Sequence, residues 1–91
     1  MAIQVFRNRA QCHIFLGALP EGLEDAEKCI ELDPTYLMGY ACKAKVQALM
    51  QNYESAMATY IEGLKCDPNS TIVIDGFKRY HSTPLFAFLT L

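Results

Sequence analysis

Two Asp-Pro pairs, Asp33-Pro34 and Asp67-Pro68, stand thirty-four residues apart, and that interval constrains the fold more than any other feature of the chain. It is the length of one class of two-helix repeat. Sliding the chain by the same interval pairs Phe6 with Tyr40, Ala10 with Ala44, Leu16 with Met50, Leu19 with Tyr53, Gly22 with Ala56, Ala26 with Tyr60 and Ile30 with Leu64. Large residues facing large and small facing small is what helices packed closely at fixed points require. Ala10, Ala44, Gly22 and Ala56 are the points of closest approach, where a leucine would overpack the hairpin at a cost of about 1–3 kcal/mol.

The local signals divide the chain between these marks. Apolar residues at three- and four-residue steps (Ile3, Phe6, Ala10, His13 or Ile14) predict a helix over about 3–16, ended by Gly17. Pro20 is tolerated in the first turn of a second helix, where Glu21, Glu24 and Asp25 face its positive end, and that helix runs to Leu32. Asp33 or Thr35 can accept a free N–H of a third helix over about Tyr36 to Met50. Asn52 is a cap candidate for a fourth, with Tyr53, Ala56, Met57, Tyr60, Ile61 and Leu64 on its buried side. Asn69, Ser70 or Thr71 can cap a fifth segment from Ile72 to about Tyr80, with Ile72, Val73, Phe77 and Tyr80 turned inward as a terminal cap requires. His81-Ser82-Thr83-Pro84 is a stop signal, and Leu85 to Leu91 is apolar, β-prone and without a polar face.

Composition limits the partners. Ten acidic against eight basic side chains, a net charge of -2, provide no field for nucleic acid or an anionic membrane. The longest apolar run, Leu85 to Leu91, is too short for a membrane-spanning helix. Cys12, Cys29, Cys42 and Cys66 form no CxxC and follow no secretory leader, so reduced thiols are expected. His13 beside Cys12 lacks further ligands at a metal-binding spacing and reads as structural. Glu21, Glu24, Asp25, Glu27 and Glu31 read as an exposed, solvating face with Glu24 and Lys28 paired across one turn. With no nucleophile beside them, no phosphate loop and no G-x-S-x-G, the chain is expected to have no catalytic activity and no cofactor.

The runs NRAQC at Asn8 to Cys12, LGALPEGLEDAEKCIELDPTY at Leu16 to Tyr36 and YESAMATYIEGLKCDPN at Tyr53 to Asn69, with IDGFKRY after them, resemble the tetratricopeptide repeats of the plant co-chaperones that bridge heat-shock chaperones of the seventy and ninety classes. The resemblance spans about Val5 to Tyr80 and covers the last two repeats of a chaperone-binding domain. It implies three hairpins with a capping helix and a groove that holds an acidic chaperone tail ending in EEVD. In such domains a carboxylate clamp uses a lysine and an asparagine from the first hairpin, an asparagine from the second, and a lysine and an arginine from the third. Asn8 matches the second-hairpin asparagine, whereas Met38 and Cys42 stand at the third-hairpin lysine and arginine positions and offer no cationic donor. The first hairpin has no counterpart in these residues, and the divergent tail has the look of truncation or an altered reading frame. The resemblance further implies a cytoplasmic protein with nuclear access.

Read from the residues alone, the groove side of the first and third helices carries Gln4, Arg7, Asn8, Gln11 and Phe15, then Met38, Ala41, Cys42, Lys45 and Leu49. Arg7 and Lys45 are cations near the same groove that read either as solvated surface charges or as partial replacements for the lost clamp charges, with Asn8 and Gln11 available to a peptide backbone. Tyr36, Tyr40, Tyr53, Tyr60 and Phe77 recur at packing positions with no basic flanks, which predicts core rather than a base-stacking platform.

The expectation is therefore all-α: hairpins over about 3–33 and 36–67, a capping helix over about 70–80, and a divergent tail over 81–91. The function expected is protein–protein interaction of the co-chaperone kind. The alternative is an assembly fragment without peptide binding, packing through the tail and through apolar surface around Phe6, with marginal folding or self-association.

Overall fold

A computed structural model describes residues 2–81, without the side chains of 77 and 79–81. They form five helices: α1 (Ala2–Phe15), α2 (Leu19–Leu32), α3 (Leu37–Leu49), α4 (Tyr53–Cys66) and α5 (Thr71–His81). The chain is all-α, as the periodicity predicts. α1 packs on α2 and α3 on α4 as hairpins, α5 lies against both α3 and α4, and α3 touches every other helix.

Both kinds of turn occur twice, thirty-four residues apart. At the tip of the first hairpin the Ala18 N–H donates to the His13 carbonyl and the Gly17 N–H to Ile14; at the second, Asn52 donates to Gln47 and Gln51 to Ala48. This pattern requires a left-handed residue just past the helix end. Gly17 supplies it with φ +80°, and Gln51, its counterpart, is held at φ 66°. Asn52 consequently spends its N–H on the turn and makes no side-chain cap.

The second turn is the Asp-Pro mark. Asp33 and Asp67 are extended (φ -149° and -150°), and each carboxylate accepts the N–H two residues on, from Thr35 and Asn69, at 3.0 Å. The Asp33 carboxylate thus closes the turn instead of capping α3, which has no side-chain cap. The hydrogen bonds from Thr35 favour the ionised form and hold its pKa below the usual carboxylate value. Ser70, in contrast, accepts the Val73 N–H at 3.4 Å and caps α5.

The core follows the small residues. Ala10, Ala26, Ala44 and Ala56 are all 0% exposed, and a methyl added at Gly22 would meet Ile14 at 3.3 Å. Ala26 and Tyr60 break the size matching, for a reason found at the joints between hairpins. At the first joint Gly39 of α3 lies on Cys29 and Ile30 of α2, while Cys42 packs with Ala26. At the second, Val73 of α5 lies on Gly63 of α4, and Gly76 lies over Tyr60, where an added methyl would come within 2.5 Å of the ring. Large and small have exchanged sides at both pairs.

Several exposed and buried assignments differ from expectation. Ile61 and Ile72 are each 46% exposed, because Thr59, Tyr60 and Gly63 on α4 and Val73 on α5 occupy the inward positions. Asp25 is 5% exposed rather than part of a solvated face: its Oδ2 lies 3.4 Å from both Arg9 Nε and His13 Nε2 of α1, although neither contact has hydrogen-bond geometry. Arg9 also sits 5.6 Å above the Phe6 ring, so Phe6 is half-buried and the exposed apolar residue of that region is Val5. Lys28 pairs with Glu31 at 3.8 Å instead of Glu24. The expectations for Phe77, Tyr80 and the tail from Ser82 onward fall outside the described residues.

The left-handed turn positions give a paired prediction. Gln51→Gly should raise stability by about 0.5–1 kcal/mol, the relief of a left-handed side-chain clash less the greater entropy of an unfolded glycine. Gly17→Ala should lower it by about 1 kcal/mol, although nothing lies within 4 Å of the added methyl. Urea unfolding of the two variants checks both signs.

Candidate peptide groove

The interval that brings the same face of α1 and α3 side by side also builds a feature shaped to take a ligand. Two adjoining hollows lie along these helices. One, of about 330 Å³, is lined by Gln11, Ile14, Phe15, Met38, Ala41, Cys42 and Lys45. The other, of about 450 Å³, is lined by Asn8, Gln11, Cys12, Phe15 and Leu16. Gln11 and Phe15 belong to both, so the hollows form one groove. Neither wall contains a carboxylate.

The structure thus brings Gln11, Met38, Cys42 and Lys45 onto one wall and Asn8 beside them. Arg7 lines neither hollow, and its buried Nε has no hydrogen-bond partner among the described residues. Its positive charge nonetheless acts on Cys42, which lines the first hollow, as that of Lys45 does. One step along a helix moves a side chain by about 100°, and that step separates Arg7 from Asn8.

Burial dominates the thiol chemistry. Cys42 is 6% exposed and Cys29 is 1% exposed, and loss of water raises both pKa values. The positive charges of Arg7 and Lys45 oppose this rise at Cys42 without cancelling it, while the neighbouring Cys42 and Asp25 add to it at Cys29. The groove therefore meets a ligand with a neutral thiol at position 42. Cys12 and Cys66 are exposed.

Lys45 is the cation of the groove. Three other basic residues are engaged with carboxylates: Arg9 with Asp25, Lys43 with Glu27 at 3.8 Å and Lys28 with Glu31. Among the described residues no carboxylate pairs with Lys45. Phe15 and Leu16, 90% and 76% exposed, extend the apolar wall to the hairpin tip, a contribution that periodicity reveals for Phe15 but not for Leu16 at the helix end. Among the described residues no cluster of three or more His, Cys, Asp or Glu side chains could hold a metal ion, and no helix is long and apolar enough to cross a membrane.

Relatives of the chain carry this same segment within much longer proteins. It is 74% identical over 76 residues to rice U-box domain-containing protein 70, a match covering 84% of this chain and 9% of that protein. The wheat Hsp70-Hsp90 organizing protein is 58% identical over 76 residues, covering 84% of this chain and 13% of the relative. The chain thus spans a small part of the length of these curated relatives. Among solved structures, the Arabidopsis OM64 TPR domain superposes with a TM-score of 0.77 at 19% identity, over 87% of this chain and 65% of that one, a likeness of fold. No family model matches the chain.

The burial pattern predicts two classes of thiol. Cys12 and Cys66 should react with a chromogenic disulfide reagent in the native state at pH 8, and Cys29 and Cys42 only after denaturant is added. Four thiols reacting at one rate in the folded chain would contradict the packing of the first joint.

Proposed function

The chain belongs to the tetratricopeptide-repeat family, in the branch that includes the plant Hsp70-Hsp90 organizing proteins, and from that premise we propose that it is a protein-interaction module of the co-chaperone kind. In this reading the groove between α1 and α3 receives the acidic C-terminal tail of a heat-shock chaperone of the seventy or ninety class. The observation that carries it is a groove whose lining holds no carboxylate, with Lys45 and the Gln11 amide on one wall, the Asn8 amide beside them, and no carboxylate among the described residues paired with Lys45. A lysine supplies a compact positive charge, and an amide can both donate to and accept from a peptide backbone.

A second reading, docking of another protein on α1, is favoured by one observation. Val5 occupies the register of Gly39 and Val73, the residues through which α3 and α5 seat on the helix before them, yet it is 54% exposed. A helix seated there in the same manner must be small opposite both Val5 and Asn8. α2 would present Cys29 to Val5, and α4 would present Tyr60 to Asn8. This reading calls for a partner helix with small residues at both contact points.

The test is a backbone amide NMR titration with an acidic peptide ending in EEVD. Saturable shifts concentrated at Asn8, Gln11 and Lys45 are expected. Lys45→Ala should weaken binding about two- to fivefold, the worth of one partly solvated charge contact. Well-dispersed signals that do not move would refute the groove as the peptide site.

A further inference from the structure

We infer that Cys29 and Cys42, with Arg7 beside them, form a two-thiolate site for a soft monovalent cation of the Cu(I) class. The site lies within the first joint and needs no peptide in the groove. Three helices bring its residues together. Cys29 of α2 directs its thiol at the Ile3 carbonyl of α1, 3.6 Å away, while Cys42 of α3 packs on Ala10 of α1 and Ala26 of α2. Arg7 stands on that side of α1, four residues after Ile3 and three before Ala10, and so lies within one turn of both thiol contacts. Gly39 permits the approach. A methyl added there would stand 3.2 Å from the Cys29 Cβ, and Cys42 follows one turn later on the same face of α3.

An unmet charge points to the ligand. The Arg7 Nε is buried with no hydrogen-bond partner among the described residues, and such a donor calls for an anion. The two thiols do not supply one in the free chain, because burial raises their pKa values and keeps them neutral. Exchange of both thiol protons for one Cu(I) does, since two thiolates and a monovalent cation leave a single negative charge for Arg7 to neutralise. A divalent cation would leave the pair neutral and Arg7 still unmet. Zinc also takes about four ligands, whereas among the described residues no third His, Cys, Asp or Glu joins the pair. Soft thiolates select Cu(I), which two of them satisfy. Entry is by way of Cys42, which lines the 330 Å³ hollow, because Cys29 is only 1% exposed.

Titration with Cu(I) against a chromophoric Cu(I) chelator, in reducing and oxygen-free buffer, tests this. The chain used is Cys12→Ser/Cys66→Ser, which removes the exposed thiols and keeps a hydroxyl donor toward the Pro34 carbonyl. One copper per chain is expected, with an ultraviolet thiolate-to-copper absorption, and excess zinc should not displace it. Adding Cys29→Ser or Cys42→Ser should abolish this binding. Arg7→Gln, checked for native helicity, should weaken it by about tenfold or more, and Arg7→Lys should recover most of the loss. A chain that takes no copper from the chelator, one copper shared by two chains, or equal affinity after Cys29→Ser each overturns the site. An unchanged Kd in Arg7→Gln overturns the part given to its charge.

Discussion

Everything in this fold depends on how closely one helix of a hairpin can approach the hairpin before it. Each joint is closed by two contacts, and in each contact a residue with bulk meets one without. Gly39 on Cys29 and Cys42 on Ala26 close the first; Val73 on Gly63 and Gly76 on Tyr60 close the second. The larger residue of each contact has changed helices between the joints, from α2 to α5 in the first contact and from α3 to α4 in the second. Interiors packed near crystal density resist an added side chain wherever its partner is not correspondingly small.

The turns were the most legible part of the chain because their chemistry is local. Asp-Pro at both repeats marks where a helix ends, although the Asp33 carboxylate closes the turn rather than capping α3, and Gly17 marks the end of α1. Gln51 was not legible, since nothing in a glutamine signals a positive φ; only its place opposite Gly17 in the repeat does. Burial was less legible than turns. Ile61 and Ile72 look like core by hydrophobicity and are half exposed, while Asp25 looks like surface and is enclosed by α1. In each case a neighbour from a different helix decides. The enclosed Asp25 carboxylate is tolerable because both Arg9 and His13 lie beside it, and Arg9 remains largely in water.

The groove shows the same division. That Gln11, Met38, Cys42 and Lys45 share a wall follows from helical steps of three and four and from the repeat interval, both readable in the sequence. Arg7 stands at the border between the groove and the core: it lines neither hollow, yet its charge reaches the Cys42 thiol on the groove wall. The lining is mostly apolar, with Lys45 as the cation on its wall.

The placement of Tyr40 and Tyr60 has an optical consequence. The chain has five tyrosines and no tryptophan, so its near-ultraviolet signal comes from tyrosine. Tyr40 is 6% exposed and donates its hydroxyl to the Pro34 carbonyl at 2.7 Å, which ties the start of α3 to the turn that precedes it. Tyr60, 3% exposed, lies beneath Gly76 at the other joint. Of the tyrosines whose side chains are described, the two most enclosed therefore lie one against the turn that links the hairpins and one beneath the capping helix. Native tyrosine circular dichroism and absorbance report whether the hairpins are joined, whereas far-ultraviolet signals report only whether the helices exist, and the two together distinguish separation of intact hairpins from their melting.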